Sequence, residues 1–322
     1  MFSGLSAFPL TPMNDRGLDE AAFVRLIERL VTANVDSIGV LGSTGNYAYL
    51  TMAERARVVR LAVKHAGNIS VMAGIGALRT RDVLTLAEDA EVAGVNGLIL
   101  APMSYQKLSP DEVFGLYETV THALSIPLCI YDNPGTTQFI FSDELHGQIA
   151  HLPNVASIKI PGVPEDPIEA RSRVEKLRTH IPSTVTVGVS GDAFAATGLN
   201  AGCEAWYSVI GGIFPVTALA ITRVAQARNA QEATRLSKRL QPLWELFNAS
   251  EGSLRVVAAA AELQGLAKPP CLPLPLKALD KEGRRRLANL IDELNLSLRF
   301  PRVIHAYRFK VNRPGIIGNS IF

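Results

Sequence analysis

The chain has 322 residues, 48% of them hydrophobic, with 32 Lys+Arg against 30 Asp+Glu. That is enough apolar material for a large core, and it leaves no charge excess to attract nucleic acid or an anionic membrane surface. Three cysteines far apart, Cys129, Cys203 and Cys271, form no CxxC pair; their pattern argues against a disulfide framework and predicts a reduced, cytoplasmic protein. No apolar run approaches the ~20 residues that cross a bilayer. The first ten residues lack the basic and apolar regions of a secretory signal.

Short apolar runs bounded by turn residues recur along the first two thirds of the chain. They are Leu5–Leu10, Asp36–Leu41, Ser70–Ile75, Gly97–Ala101, Pro127–Tyr131, Val155–Ile160, Thr184–Val189 and Cys203–Val209. Helix signals fill the gaps. Asp19–Ala33 carries apolar residues at helical spacing. Thr51-Met52-Ala53-Glu54 is a capping-box pattern ahead of Arg55–His65. Thr80 precedes Arg81–Ala93, which stops at Gly94. Ser109-Pro110-Asp111-Glu112 supplies an N-cap, a proline at the first helical position and an acidic first turn, and Ser142-Asp143-Glu144 opens another helix. Strand and helix alternating eight times predict an α/β protein with a closed (β/α)8 (TIM-type) barrel. An open doubly wound sheet is the competing fold. It calls for a glycine-rich phosphate turn after the first strand, where this chain has Thr11-Pro12-Met13-Asn14.

After Val209 the alternation stops at Gly211-Gly212-Ile213-Phe214-Pro215. Helical stretches follow over Val216–Arg228, Ala230–Ala249, Ser253–Leu263 and Lys281–Leu294, with a proline-rich connector at Lys268–Pro275. The predicted organisation is a barrel domain over 1–214, a C-terminal helical domain over 215–300 and a basic tail over 301–322. The tail holds Arg302, Arg308, Lys310 and Arg313 and no acid; it reads as a disordered tail, with an ordered arm on a neighbouring subunit as the alternative.

In such a barrel the reactive groups sit at the C-terminal ends of the strands. The second strand ends in Gly42-Ser43-Thr44-Gly45-Asn46, and the fourth leads to Tyr105. The fifth ends in Tyr131-Asp132-Asn133-Pro134-Gly135-Thr136-Thr137, the sixth carries Lys159, the seventh ends in Ser190-Gly191-Asp192, and the eighth in Tyr207-Ser208-Val209. No histidine is among them, and the only carboxylates are Asp132 and Asp192. Neither a metal cage nor a carboxylate pair is therefore expected. An amine in an apolar strand must pair, reach water or lose its proton. Lys159 is then either a side chain reaching solvent or a nucleophile for a carbonyl compound. The Gly42–Asn46 loop can turn backbone N–H groups towards a carboxylate, and Tyr131 can move the protons of carbinolamine formation.

Gly-Ser-Thr-Gly on the second strand, Tyr-x-x-Pro on the fifth and a lone lysine on the sixth together resemble the dihydrodipicolinate synthase / N-acetylneuraminate lyase family of class I aldolases, over about residues 4–295. The resemblance implies a barrel with a C-terminal helical domain, assembled as a homotetramer from dimers. It implies Lys159 as the Schiff-base residue for pyruvate or another 2-oxo acid, with no metal or organic cofactor. Thr44 and neighbouring N–H groups, including that of Gly45, would hold the carboxylate. Ser43, Tyr131 and Tyr105 would form a proton relay, Tyr105 by reaching into the adjacent subunit. Asn133, Thr136, Thr137, Gly191, Asp192 and Tyr207 are expected to face the rest of the substrate.

Three positions depart from the family pattern. Asn46 stands where most members carry glutamate. Thr136 stands where the synthases carry an arginine for the aldehyde's carboxylate. Pro161 stands where the sialate lyases place a threonine. The expected activity is a Schiff-base lyase, aldolase or dehydratase, acting on a 2-oxo acid. The alternatives are an authentic synthase condensing pyruvate with aspartate semialdehyde, a non-catalytic keto-acid-binding barrel, and a barrel with a phosphate site near Gly191 or Gly211-Gly212.

Overall fold

A computed structural model describes residues 1–296. The last residues of the predicted helical domain and the whole basic tail lie outside that range. Eight parallel strands close into a barrel in sequential order: β1 (Gly4–Ala7), β2 (Ser37–Val40), β3 (Ser70–Gly74), β4 (Gly97–Leu100), β5 (Leu128–Tyr131), β6 (Val155–Ile160), β7 (Thr186–Val189) and β8 (Ala205–Ser208). β8 pairs with β1 through Ala205 opposite Gly4 and Ser208 opposite Ala7, which shuts the ring. The strands are apolar and β-branched because both of their faces are covered, one by the barrel interior and one by helices. Except for β6, whose bounds match its run, the strands are shorter than the apolar runs that mark them. Leu10 and Leu41 are buried beyond the strand ends, under the loops that carry the site.

Most of the helix signals act as read; Thr80 is the exception, lying inside its helix behind Arg79, which makes no side-chain cap. Thr51 caps α2 (Met52–His65) in a complete capping box with Glu54, and Ser109 caps α4 (Pro110–Ala123) in a second with Glu112. Asp19 caps α1 (Glu20–Ala33), and α3 (Thr80–Ala93) ends on Gly94 at φ 89°. Ser142 caps α5 (Asp143–Ala150), Asp166 caps α6 (Pro167–Arg178), and a short α7 (Ala195–Asn200) follows β7.

Pro215–Gln226, here α8, packs on β1, α1 and α7, in the place of an eighth barrel helix. From it Arg223 reaches Asp36 with both guanidinium nitrogens (2.7 and 3.0 Å), and Asp36 also accepts the Leu5 N–H (2.7 Å). Helix α8 contacts the barrel as well as the helix that follows it, Ala230–Arg239. The single stretch read over Ala230–Ala249 is two helices, α9 (Ala230–Arg239) and α10 (Gln241–Ala249). Pro242 lies at the start of the second and has no N–H to continue the first.

The remaining helices, α11 (Leu254–Leu263) and α12 (Lys281–Glu293), pack on one another. Buried Glu262 ties them together by accepting from Arg284 and from the Cys271 N–H. The Met13 N–H donates to the Cys271 carbonyl, and Arg25 donates to that of Leu266, so this unit is pinned to the barrel's first turn. Among the described residues, no helix is long and apolar enough to cross a membrane.

Candidate active site

Strand register decides which of the strand-end residues meet. Tyr131 on β5 lies beside Lys159 on β6, and Lys159 lies beside Gly188 on β7. Alternation along a strand sends Tyr131 and Lys159 into the barrel and Asp132 outward to the helices. Lys159 is 4% exposed. Its Nζ sits 3.9 Å from the centroid of the Tyr131 ring, and among the described residues it has neither an ion-pair partner nor a hydrogen-bond acceptor.

The Tyr131 hydroxyl stands 3.2 Å from Ser43 Oγ. Asn133 Nδ2 donates towards both of these oxygens (3.0 and 3.1 Å) and to Thr136 Oγ1 (2.6 Å). Because Asn133 can only donate from this nitrogen, the Tyr131 oxygen accepts there. Its own proton is left for Ser43 or for a substrate. Asn133 is thus part of the hydroxyl network, and Thr136 is engaged by it.

The glycine loop makes a tight turn. Gly45 N–H donates to the Gly42 carbonyl (2.9 Å) and Asn46 N–H to that of Ser43 (3.2 Å). Among the described residues, the N–H groups of Ser43 and Thr44 have no acceptor. The donors available to a carboxylate are therefore those of Ser43 and Thr44; the N–H of Gly45, expected to help, is already spent inside the turn. Gly45 is there for closeness, since a Cβ would lie 2.8 Å from the Leu41 nitrogen. Leu41 leads into the loop at φ 58°, a conformation costly for a branched side chain. A Cβ at Gly74 would overlap the Leu41 carbonyl oxygen.

Asn46 has a local explanation. It adopts φ 56°, where asparagine is among the least penalised side chains, and its Nδ2 donates to the buried Thr11 carbonyl (3.0 Å). Behind it, buried Arg55 donates to the carbonyls of Gly76 and Gly74 (both 2.9 Å) and faces the Tyr47 ring at 5.4 Å. Burial pulls the Arg55 guanidinium down to about 10 and pushes the Tyr47 phenol up to about 12. This cation, wrapped in backbone carbonyls, holds the carboxyl ends of β3 and its loop. It had no signature in the sequence, where Arg55 reads as one more charge on an amphipathic helix.

Four expected substrate contacts are placed elsewhere. Asp192 is buried, and its two oxygens accept from Trp206 Nε1 (3.0 Å), Ser208 Oγ (3.1 Å), Val209 N (3.1 Å) and Ile210 N (2.8 Å). Burial still raises its carboxyl above the ordinary value. It anchors the turn after β8 and offers nothing to a ligand. Gly191, at φ 75°, sits where a Cβ would lie 3.0 Å from the Pro161 carbonyl, so it serves chain crossing. Thr137 is buried and closes the loop on itself, its hydroxyl donating to the Asn133 carbonyl (3.0 Å). Tyr207 points down the barrel, its hydroxyl 2.7 Å from Ser157 Oγ, two residues below Lys159 on β6. Tyr105 is 90% exposed and away from the other relay residues of its own chain. Phe8, whose ring faces Lys159 Nζ at 4.3 Å, was missed. In sequence it is one apolar residue among many at a strand end.

Outside the barrel wall, directly behind Tyr131, Asp132 Oδ2 lies 3.5 Å from Nε2 of buried His146, which stacks on Phe141. The backbone N–H of Asp132 donates to the Lys159 carbonyl (3.1 Å). Burial pushes the Asp132 carboxyl up to about 7, countered by Arg173, and pulls His146 down to about 4. An unfolded aspartate titrates near ~4. The raised folded value therefore costs stability increasingly as pH rises from about 4 to about 7. His146 has the opposite slope up to ~6.5, but it is common to wild type and variant. Asp132→Asn is expected to match wild type near pH 4 and to be more stable above pH 7, with the gap opening between. The linkage ceiling is ~4 kcal/mol, and roughly 1–2 kcal/mol is expected after local relaxation. Urea titrations at several pH values measure this; a gap independent of pH refutes it.

A (β/α)8 barrel with one buried lysine on its sixth strand, a strand-end tyrosine beside it and open N–H groups on the second-strand loop defines an amine-catalysis architecture. The sequence profile of the Dihydrodipicolinate synthetase family matches residues 1–294, and the chain belongs to that family. It is a Schiff-base-forming enzyme of the class I aldolase type. Among curated relatives, the 4-hydroxy-tetrahydrodipicolinate synthase of Gluconacetobacter diazotrophicus is 31% identical over 291 residues, 89% of this chain and 95% of that protein. That of Persephonella marina is 27% identical over 92% of this chain and 99% of its own length. The solved dihydrodipicolinate synthase from Agrobacterium tumefaciens superposes with a TM-score of 0.87 at 44% identity, covering 91% of this chain and 98% of that one. A putative dihydrodipicolinate synthetase from Pseudomonas aeruginosa follows at 0.83 and 30%, covering 91% and 99%.

Proposed function

We propose that the protein is a lyase that forms a Schiff base between Lys159 and pyruvate or another 2-oxo acid, and makes or breaks a bond at the carbon next to the imine. The observation that carries this is the position of Lys159 Nζ, 3.9 Å over the Tyr131 ring, with the Tyr131 hydroxyl linked to Ser43 of the open N–H loop.

The substrate carboxylate docks on the N–H groups of Ser43 and Thr44. Lys159 Nζ attacks the C2 carbonyl as the neutral amine; one of its protons passes through Tyr131 and Ser43 to the carbonyl oxygen, and a second proton, drawn from solvent through the same hydroxyls, lets that oxygen leave as water. The protonated imine that remains withdraws electrons from the bond at C3. Cleavage of the C3–C4 bond or loss of a proton from C3 then gives the enamine; the enamine either expels hydroxide from C4 or takes up a proton or an aldehyde at C3, and hydrolysis of the resulting imine returns the free amine. These steps require neither a metal nor an organic cofactor.

The names of the relatives favour pyruvate and aspartate semialdehyde as a specific pair. Against that pair, Thr136 presents a hydroxyl already bound by Asn133, with no planar fork for a second carboxylate. An oxo acid whose second half carries hydroxyls suits Asn133 and Thr136 better. A cytoplasmic homotetramer built from dimers completes the reading; it is supported by Tyr105, whose ring projects fully into solvent from the loop after β4.

The test is reduction with borohydride in the presence of a panel of 2-oxo acids, followed by mass mapping. A reduced adduct on Lys159 is expected with pyruvate at least. No adduct with any member of the panel refutes the reading.

A further inference from the structure

Three aromatic rings close on one nitrogen. Lys159 Nζ lies 3.9 Å from the centroid of Tyr131, 4.3 Å from that of Phe8 and 5.8 Å from that of Tyr207. Phe8 and Tyr207 are buried in the barrel interior and meet edge to face, centroids 6.0 Å apart at 81°.

The rings have seats made for them. A Cβ at Gly39 would overlap the Phe8 ring, and one at Gly42 would come within 2.7 Å of its Cδ1. A Cβ at Gly188, the β7 neighbour of Lys159, would overlap the Tyr207 ring. Tyr207 is further locked by Ser157 (2.7 Å), which Thr186 supports at 2.9 Å. Generic core filling does not call for a glycine opposite each ring. A surface complementary to two aromatic faces around a cation does.

The electrostatics follow. The face of an aromatic ring is negative and attracts a cation most strongly where water is excluded. The protonated imine places positive charge at this nitrogen, which the neutral attacking amine does not. A carboxylate in this position would attract it too, but it would also compete for the proton that Tyr131 and Ser43 must move. A ring face attracts the charge and cannot take the proton. Resting on the Schiff-base reading, we propose that Phe8, backed by Tyr207, is a further catalytic residue: it completes with Tyr131 an aromatic cage that stabilises the protonated imine on Lys159.

The cage predicts a response that a packing role does not. Replacing Phe8 by mono-, di- and trifluorophenylalanine preserves its shape while draining charge from its face. The fraction of enzyme trapped by borohydride at subsaturating pyruvate, and the rate of C3 hydrogen exchange into pyruvate, should fall in step along the series. About 3- to 30-fold is expected from phenylalanine to the trifluoro form, with the melting temperature held. Phe8→Leu should show the full loss, and Phe8→Tyr should restore most of it. A flat fluorination series overturns the proposal, whether or not Phe8→Leu folds. Wild type that forms the adduct alongside a flat series removes the cage alone; wild type that forms none removes the Schiff-base reading and the cage with it.

Discussion

Lys159→Ala is expected to abolish turnover and all trapping by borohydride while leaving the barrel folded. The nucleophile is a single group held against a docked carboxylate, and such placement is worth effective molarities of about 10⁵ M or more. A loss of about 10⁵-fold, or to the detection limit, follows. The fold should not suffer. The side chain makes no hydrogen bond or ion pair among the described residues, so its removal leaves no partner stranded. Lys159→Arg sharpens the test: it keeps a cation among the rings and removes the nucleophile, so it should be equally inactive. Melting curves and single-turnover assays on both variants decide this. Turnover above one hundredth of wild type in either removes Lys159 from the mechanism.

Tyr131→Phe is expected to separate ring from hydroxyl. The ring that lies 3.9 Å from Nζ stays, and the oxygen shared with Ser43 and Asn133 goes. Proton transfer by a placed side chain contributes about 10²- to 10⁴-fold, and kcat should fall by that amount. The reduced adduct with pyruvate should still reach full occupancy, only more slowly. The cavity left by one oxygen is small, so the melting temperature should shift by a few degrees at most. A kcat within threefold of wild type would mean that another group moves the proton, with Ser43 the first to examine by Ser43→Ala. Loss of the adduct altogether would mean that the tyrosine acts in carbinolamine formation more completely than a relay requires.

These expectations depend on residues of unequal legibility. The barrel could be read because its cause is local and repeated. Apolar runs, capping boxes at Thr51 and Ser109, and the stop at Gly94 each act within a few residues. That Lys159, Tyr131 and the Gly42–Asn46 loop lie near one another could be read because a barrel gathers its strand ends at one mouth. Period-two alternation separates Tyr131 from Asp132 once the strand's register in the barrel is known, and the outward neighbour of Asp132, His146 on α5, comes from the tertiary structure alone.

The chain order of apolar and polar residues determined the architecture, the lysine and the loop beside it, since each depends on backbone propensity and burial pattern. Tertiary structure decided where side chains aim once strands from distant parts of the chain are in register. Asp192 and Thr137 stood at strand ends or in site loops and turned inward to satisfy backbone donors and acceptors. Tyr207 followed the hole opened by Gly188 and pointed down the barrel. Phe8, carrying no polar atom, came to lie against the reacting nitrogen because Gly39 and Gly42 left it room. The space that a missing Cβ leaves for a residue many positions away is a property of packing, and no pattern within a single strand reports it.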